Sequence, residues 1–284
     1  MESAAEYTQR LIRSGARAHK SMGQVFLMSD EVIDRIVSAS TLQPDVPLVE
    51  IGPGLGVLTR VLAPRVQKMW AVELDKHKIG ILNKELRGQP IEIVNQDALI
   101  LDLFELWGDK KGYLVGNLPY YITSPLIMHF LEQADRLSGM TIMVQKEVAD
   151  RIAAPPGSKT YGILSIAVQI SAEVTKVMDV SPSAFWPAPK VTSAVIRLDL
   201  RPYPGFNVDK KDFFRVVKAA FSQRRKTLGN SLAGGLGLKK EEVIERMQGT
   251  GISDGRRAES LSIEEFQVLT KAFRINGGSL GWKK

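Results

Sequence analysis

The chain has 284 residues, of which 44% are hydrophobic and 24% are charged, as in an ordinary globular protein. It contains no cysteine, which excludes disulfides, thiolate metal sites and a cysteine nucleophile and favours a cytoplasmic setting. Because no apolar run approaches the roughly 18 residues of a membrane span and the N-terminus has no apolar signal-peptide core, we expect no membrane association.

The net charge of +7 lies at one end of the chain. The first 204 residues hold 22 Lys and Arg and 22 Asp and Glu, whereas the last 80 hold 16 Lys and Arg and 9 Asp and Glu. A basic region beside a neutral body predicts a module that binds a polyanion such as nucleic acid. A solvated helical surface that is merely basic is the alternative.

Residues 1–27 are interpreted as a polar, basic N-terminal segment, and after them helices alternate with strands. Helical spacing begins at Ser29 and again near Leu58, and continues in residues 76–87, 123–135 and 146–153. The predicted strands are residues 48–51, 69–74, 91–94, 113–116, 140–145, 174–180 and 191–200. This alternation predicts an α/β domain whose mostly parallel, seven-stranded sheet carries helices on both faces, with the last two strands closing it as an antiparallel pair.

Residues 201–205 read as a linker, because two prolines and a glycine interrupt the pattern. Beyond them the spacing is helical only, in residues 209–222, 239–248 and 262–273. We therefore predict a catalytic domain in residues 1–204 and a small, basic, all-α domain in residues 205–284.

Polar groups follow the predicted strands at their carboxyl ends, where open α/β sheets bind ligands. The first strand runs into Gly52, Gly54 and Gly56, which let a ligand approach the backbone and the next helix N-terminus. Glu73 ends the second strand and could bind the hydroxyls of a ribose. Asp97 follows the third strand and could accept a hydrogen bond from an adenine amine.

The glycine spacing helps to identify the ligand. The third glycine is Gly56 and Val57 follows it, so the turn differs from the G-x-G-x-x-G of dinucleotide-binding oxidoreductases. The turn also lacks the G-x-x-x-x-G-K-[ST] of nucleotide hydrolases. A glycine turn followed by acids at the next two strand ends favours S-adenosyl-L-methionine, and hence a Rossmann-like methyltransferase.

The fourth strand ends at Asn117 and runs into Leu118, Pro119 and Tyr120. The Asn117 oxygen and a backbone carbonyl can accept hydrogen bonds from the exocyclic amine of a base, and the Tyr120 ring offers a stacking surface. Pro119 stiffens the turn because its ring fixes φ. A strand running into an ordinary turn is the alternative, but the position after three other polar strand ends favours a methyl-acceptor site.

Together these motifs resemble those of the ribosomal RNA small-subunit adenine N6,N6-dimethyltransferases, over nearly the whole chain. The matching segments are Gly23-Gln24-x-Phe26-Leu27, Glu50-Ile51-Gly52-Pro53-Gly54, Glu73-Leu74-Asp75, Gln96-Asp97-Ala98, Asn117-Leu118-Pro119-Tyr120, Gln145-Lys146-Glu147-Val148, Tyr161-Gly162, Phe185-x-Pro187-x-Pro189-Lys190-Val191 and Phe221-x-Gln223-Arg224-Arg225-Lys226-Thr227.

The resemblance implies that two adjacent adenosines in the 3′-terminal hairpin loop of 16S rRNA are each dimethylated, with S-adenosyl-L-methionine as donor and no metal. It also implies a small ribosomal subunit or its precursor as partner, a role in subunit biogenesis, and a monomeric enzyme. The implied cofactor residues are Leu27, Gly52, Gly54, Glu73, Asp97 and Asn117.

Three further expectations concern single positions. Val25 departs from the family pattern, which has Asn there, so any side-chain hydrogen bond at that position is lost. Phe185 could pack on the other face of the base, or it could be a core aromatic. For catalysis, Asn117 and the Leu118 carbonyl would accept the two N–H hydrogens of the amine.

The cluster Arg224, Arg225 and Lys226, on a predicted helix, would contact RNA phosphates. Arg10, Arg13, Arg17 and Lys20 would extend this basic surface, with solvated surface as the favoured alternative for each one alone. Two rival functions remain open from the sequence: a non-catalytic small-subunit assembly factor, and an adenine-N6 methyltransferase that acts on 23S rRNA or on DNA.

Overall fold

The computed structural model describes residues 2–18, 24–223 and 225–274, which form two compact units. The first unit comprises the residues up to Ala153 together with Ser171–Arg201. The second comprises Ala154–Ile170 together with the residues from Pro202 onward. Lys20, Gly23 of the first family motif and Arg224 of the basic cluster lie outside the described residues.

The first unit is built on a seven-stranded sheet of order β4-β3-β2-β5-β6-β9-β7. The strands of this unit are β1 (Phe26–Leu27), β2 (Leu48–Ile51), β3 (Met69–Glu73), β4 (Ile91–Asn95), β5 (Gly112–Asn117), β6 (Leu137–Gln145), β7 (Ala172–Val180), β8 (Phe185–Trp186) and β9 (Ser193–Leu200). β2 to β6 are parallel, and β9 lies antiparallel to both β6 and β7. The predicted Rossmann-like, mostly parallel sheet with a closing antiparallel pair is therefore confirmed.

Helices connect these strands. They are α1 (Ala4–Arg13), α2 (Asp30–Ser40), α3 (Thr59–Leu62), α4 (Lys76–Glu85), α5 (Leu103–Trp107), α6 (Thr123–Glu132) and α7 (Lys146–Ile152). Ser29 caps α2 by accepting a hydrogen bond from the Val32 N–H, and Asp75 caps α4 in the same way through the His77 N–H. The caps fix where each helix starts, directly after the strand or loop that carries a predicted site residue.

The N-terminal segment differs from the prediction, because it contains α1. Ser3 and Glu6 form a reciprocal capping box at its start, and Tyr7 and Leu11 point into the core at 4% exposure each. Between α1 and the sheet, β1 pairs with β8 in a two-stranded antiparallel sheet. These short strands bring the start and the end of the first unit together.

The second unit is helical, as predicted. Its helices are α8 (Ile163–Gln169), α9 (Lys210–Ala220), α10 (Leu228–Leu236), α11 (Lys240–Met247) and α12 (Ile263–Phe273). The sequence interpretation missed α10, because Gly234 and Gly235 suggest a break. In the structure a Cβ on Gly235 would lie 2.5 Å from the Ala219 Cα, so glycine allows α9 and α10 to pack closely.

The unit boundary also differs from the predicted boundary after residue 204. Ala154–Ile170 was assigned to the first domain, but it clusters with the C-terminal helices. The reason is its apolar side chains: Tyr161, Ile166 and Ile170 belong to the same buried core as Phe213 and Phe266. The roles assigned to the two domains stay predictions.

Candidate functional site

Four neighbouring parallel strands bring their carboxyl ends to one edge of the sheet. In spatial order these are β4, β3, β2 and β5. Asp97 follows β4, Glu73 ends β3, the glycine turn follows β2 and Asn117 ends β5. The topology thus places the predicted cofactor and acceptor residues side by side.

The glycine turn has a backbone that favours glycine. Gly52, Gly54 and Gly56 have φ of +69°, +60° and +84°, in the left-handed region. A Cβ on Gly56 would also lie 2.9 Å from the Leu82 Cδ2. The turn therefore packs tightly on α4, and its open backbone faces the sheet edge.

Glu73 is buried at 8% exposure and holds the turn in place. Its Oε2 accepts a hydrogen bond from the Gly54 N–H at 3.3 Å, and its Oε1 accepts from the N–H groups of Leu74 and Asp75 at 3.0 Å each. A carboxylate offers about four lone-pair sites, so acceptor capacity remains, mainly on Oε2.

Asn117 is the contrasting case. Its Oδ1 is buried and has no hydrogen-bond partner among the described residues. The strand around it is pinned, because a Cβ on Gly116 would lie 2.7 Å from the Ile51 carbonyl oxygen and the Leu118 N–H donates to the Met143 carbonyl at 3.1 Å. A buried amide oxygen without a donor fits a ligand that brings one.

Two adjoining cavities occupy this edge. The larger, of about 280 Å³, is lined by Asp97 and by apolar side chains. The smaller, of about 90 Å³, is lined by the predicted acceptor residues Asn117, Leu118, Pro119 and Tyr120 and by Gly54. Both cavities are also lined by Gln24, Gly52, Glu73 and Pro119.

The division of residues between the cavities suits a two-part ligand. Asp97 accepts a hydrogen bond from the Leu99 N–H at 2.9 Å, which fixes the carboxyl in the wall of the larger cavity. That cavity has the size and apolar lining to hold a flat heterocycle. The smaller cavity is lined by the predicted acceptor residues.

The turn after Asn117 is rigid. The Thr123 hydroxyl donates to the Pro119 carbonyl at 2.9 Å, and the hydroxyl groups of Tyr120 and Ser193 are hydrogen-bonded at 2.6 Å. Burial raises the pKa of Tyr120, so its phenol stays neutral at physiological pH. These bonds hold the Tyr120 ring in the wall of the smaller cavity.

Two predicted site residues are not brought to the cavities. Leu27 and Phe185 are 5% and 4% exposed, face each other in the β1–β8 pair and belong to the hydrophobic core. The residues before Leu27 line the smaller cavity instead: Gln24, Val25 and Phe26. Val25, which stands where the family pattern has Asn, is thus a cavity residue, and the stacking role of Phe185 stays a prediction.

Two ionisable residues near this edge have no role of their own in the sequence analysis. Glu50, at 2% exposure, precedes the glycine turn, and burial raises its pKa to about 8. Lys78, at 3% exposure, lines the smaller cavity from the first turn of α4. The available signal for Lys78 was its position four residues before Leu82, which places both side chains on the same face of α4.

The basic cluster requires a correction. Arg225 and Lys226 are exposed, but they lie in the turn between α9 and α10 and not on a helix. The helix ends early because the Ser222 hydroxyl donates to the carbonyls of Ala219 and Ser231, which ties the two helices together. Arg224 lies outside the described residues.

The part of the chain that the structure describes holds no group of three or more His, Cys, Asp or Glu placed to bind a metal ion. Across the same residues, no helix is both long enough and apolar enough to cross a membrane.

Comparisons with known proteins agree over most of the chain. The sequence model of the family "Ribosomal RNA adenine dimethylase" matches residues 15–274. The chain is 65% identical over 276 residues to the ribosomal RNA small subunit methyltransferase A of Desulfitobacterium hafniense, covering 97% of this chain and 99% of that protein. It is 43% identical over 270 residues to the protein of the same name from Geobacter metallireducens, covering 93% and 98%.

Two solved structures are similar to this chain over most of its length. A dimethyladenosine transferase from Plasmodium falciparum is similar with a TM-score of 0.71 and 25% identity, covering 86% of this chain and 95% of that one. The 23S rRNA methyltransferase ErmE is similar with a TM-score of 0.67 and 28% identity, covering 87% and 98%.

Proposed function

Since the chain belongs to the ribosomal RNA adenine dimethylase family, we propose that it transfers methyl groups to the N6 amines of two adjacent adenosines in the 3′-terminal hairpin loop of 16S rRNA. Each adenosine receives two methyl groups. The observation that carries the proposal is the buried Oδ1 of Asn117, which has no hydrogen-bond partner among the described residues and lies beside a glycine turn and Glu73. An adenine amine supplies the hydrogen-bond donor that this oxygen lacks.

The residues at the sheet edge fit S-adenosyl-L-methionine as the methyl donor. The left-handed glycines Gly52 and Gly54 leave the backbone open to the ligand, Glu73 has acceptor capacity for a ribose hydroxyl, and Asp97 would bind the adenine amine of the cofactor. When bound, the cofactor supplies an activated methyl group on a positively charged sulfur. No metal is required by this chemistry.

The protein's task is to position the acceptor. The lone pair of an adenine N6 amine is delocalised into the ring, so the amine must be oriented and its pyramidal form favoured. Asn117 Oδ1 and the Leu118 carbonyl would accept its two hydrogens, and Tyr120 would stack on a base that has left its RNA stack. Burial of Leu118 at 2% exposure would help to exclude water.

We propose that the second unit binds the RNA. Arg224, Arg225 and Lys226 would contact phosphates, and Arg225 and Lys226 are exposed. Each phosphate contact contributes about 0.9 to the slope of log affinity against log salt on a duplex. Arg225→Ala/Lys226→Ala should therefore lower that slope by about 2, while Lys239→Ala/Lys240→Ala, at two exposed lysines elsewhere in the unit, should leave it unchanged. Equal slopes in both variants would contradict the assignment.

The proposed partner is the small ribosomal subunit or its precursor, and the proposed working form is a monomer in the cytoplasm. The identity of 65% to small-subunit methyltransferase A, against 28% to ErmE, supports 16S over 23S rRNA as the substrate. The intact Glu73, Asp97 and Asn117 support a catalytic role over a purely structural one in subunit assembly.

The decisive experiment incubates the protein with labelled S-adenosyl-L-methionine and, in parallel, with small subunits that lack the methylations, with large subunits and with DNA. Dimethylated adenosines should map to the 3′-terminal hairpin of the small-subunit RNA alone. Label in 23S rRNA or in DNA would favour the rival substrates. Binding to small subunits without any label would favour a non-catalytic assembly factor.

A further inference from the structure

Lys78 is a buried cation in the wall of the smaller cavity. Its side chain is 4% exposed, on the first turn of α4, and it lines the cavity together with Glu73 and Asn117. Burial of a lysine is costly unless an anion compensates its charge. The surroundings of Lys78 therefore show whether the folded protein already supplies that anion.

The protein supplies only part of it. The Nζ of Lys78 lies 3.7 Å from the Asp75 Oδ2, which is longer than a hydrogen bond, and 5.7 Å from the centre of the Phe26 ring. Asp75 also caps α4 through the His77 N–H. Desolvation lowers the pKa of Lys78, against the attraction of Glu73 and Asp75. Lys78 thus has one ion pair at 3.7 Å and N–H donors that a bound anion would use.

We propose that Lys78 binds the α-carboxylate of the methionine part of S-adenosyl-L-methionine. The inference rests on the proposed function, and it names a binding residue at that same site. The ligand has one anionic group, and a carboxylate taken out of water requires a cation or several N–H donors.

The placement of the ligand's parts leads to Lys78. The nucleoside has the larger cavity, and the methyl group must point toward Asn117, so the methionine part lies in the smaller cavity. Among the described residues that line the two cavities, Lys78 is the one cation, whereas Glu73, Asp75 and Asp97 would repel a carboxylate. The other side-chain donors of the smaller cavity are uncharged, on Gln24, Asn117 and Tyr120, whereas Val25 has no polar side chain and the Gly54 N–H already donates to Glu73.

The test compares two ligands that differ in the carboxylate-bearing part. S-adenosylhomocysteine has the amino-acid part with its carboxylate, and 5′-methylthioadenosine lacks it. Titration calorimetry would measure both ligands on the wild-type protein, on Lys78→Met and on Lys76→Met. Lys76 is on the same helix but exposed, so it is a matched control for the loss of one positive charge.

Loss of a charge-assisted hydrogen bond should weaken S-adenosylhomocysteine binding to Lys78→Met about tenfold to a hundredfold. Binding of 5′-methylthioadenosine should change less than about twofold, and Lys76→Met should resemble the wild type with both ligands. The unliganded Lys78→Met protein should melt lower than the wild type, because Asp75 and Glu73 lose the cation beside them. Lys78→Gln serves as the second variant if Met disturbs the fold.

The outcomes separate the two hypotheses. If the wild-type protein binds neither ligand, the proposed function fails. If the wild type binds S-adenosylhomocysteine and Lys78→Met binds it equally well, only the assignment of Lys78 is overturned. An equal loss of both ligands in a lower-melting Lys78→Met would show that the ammonium serves the fold through Asp75, and it would also overturn the assignment.

Discussion

The ends of β3 and β5, on either side of β2, are built in opposite ways. At the end of β3, Glu73 accepts hydrogen bonds from three backbone N–H groups. At the end of β5, Asn117 has a buried Oδ1 without a partner among the described residues. Glu73 thus uses its oxygens to hold the glycine turn, whereas the Asn117 oxygen is able to accept a hydrogen bond from a ligand.

The difference separates two tasks. A buried acceptor without a donor costs about 1–3 kcal/mol, and folded proteins keep few of them. At Asn117 the rigid surroundings keep Oδ1 in place without a donor until a ligand supplies one. This arrangement suits an amine that must be oriented only during the reaction. Glu73 is preorganised in the free protein, which suits a cofactor that binds before the base. Substitutions at the two strand ends should therefore change the methylation rate and the cofactor affinity separately.

The largest effect is expected at Asn117, at the end of β5. Asn117→Ala should lower the rate of adenine methylation about a hundredfold to a thousandfold, as removal of one orienting group does in other enzymes. Affinity for S-adenosylhomocysteine should fall less than about tenfold. Single-turnover methylation with labelled cofactor measures the first quantity and calorimetry the second. Near-normal turnover would remove Asn117 from the acceptor role.

Asn95→Ala is the matched control for that variant. The Asn95 amide donates to the carbonyls of Glu73 and Leu74, at 3.0 and 3.2 Å, so it supports the cofactor side. Its loss should affect cofactor affinity more than the methylation rate. If both variants changed the same quantity, the two strand ends would not have separate tasks.

The second effect concerns a buried carboxyl that lines neither of the two cavities. Glu50 Oε2 is also buried without a partner among the described residues, but Glu50 lines neither cavity. Burial raises its pKa from 4.5 to about 8. The folded protein therefore keeps a proton that the unfolded chain releases, and the free energy of unfolding should fall as pH rises through that window.

Glu50→Gln should remove most of this pH dependence. Relative to the wild type, the variant should gain on the order of 3 kcal/mol in unfolding free energy between pH 5 and pH 8. Urea unfolding at the two pH values provides the measurement. Glu92→Gln, on an exposed carboxyl of β4, should show no such gain. An unchanged pH dependence in Glu50→Gln would show that the carboxyl is already ionised in the folded protein.

The third effect concerns Glu73, at the end of β3. In Glu73→Gln one carboxylate oxygen becomes an N–H₂ group, which cannot accept from the Gly54 N–H or from the Leu74 and Asp75 pair. Affinity for S-adenosylhomocysteine should fall about tenfold to a hundredfold. At saturating cofactor the methylation rate should recover substantially, unlike that of Asn117→Ala. A rate loss that saturation does not relieve would place Glu73 in the chemical step.

Much of this site was predictable because it follows short-range rules. Short apolar runs that alternate with helical spacing predicted the sheet, and parallel strands necessarily bring Glu73, Asp97 and Asn117 to one edge. Long-range packing was not predictable in this way. Leu27 and Phe185 lie in motifs that predict site residues. The pairing of β1 with β8 nevertheless places both side chains in the hydrophobic core. The ionic role of Lys78 depends on burial, which the sequence of α4 does not reveal.

Helix α1 was missed for the same reason. The charged residues of its outer face suggest a solvated segment. The opposite face is recognised only in the folded protein, where Tyr7 and Leu11 are buried in the core. The helix contacts the glycine turn and β1. The Tyr7 hydroxyl donates to the Leu55 carbonyl in the glycine turn at 3.0 Å, and the Thr8 hydroxyl donates to the Leu27 carbonyl at 3.3 Å.

The smallest effect is therefore expected from Tyr7→Phe, which leaves the Leu55 carbonyl without this donor between two left-handed glycines. Affinity for S-adenosylhomocysteine should fall about threefold, the value of a neutral hydrogen bond. Tyr113→Phe is the matched control, because its buried hydroxyl bonds Thr141 at 2.8 Å and lines neither cavity. Both variants should lose similar thermal stability, but only Tyr7→Phe should lose affinity. Equal affinities would mean that α1 supports the fold alone, and that Glu73 suffices to hold the glycine turn.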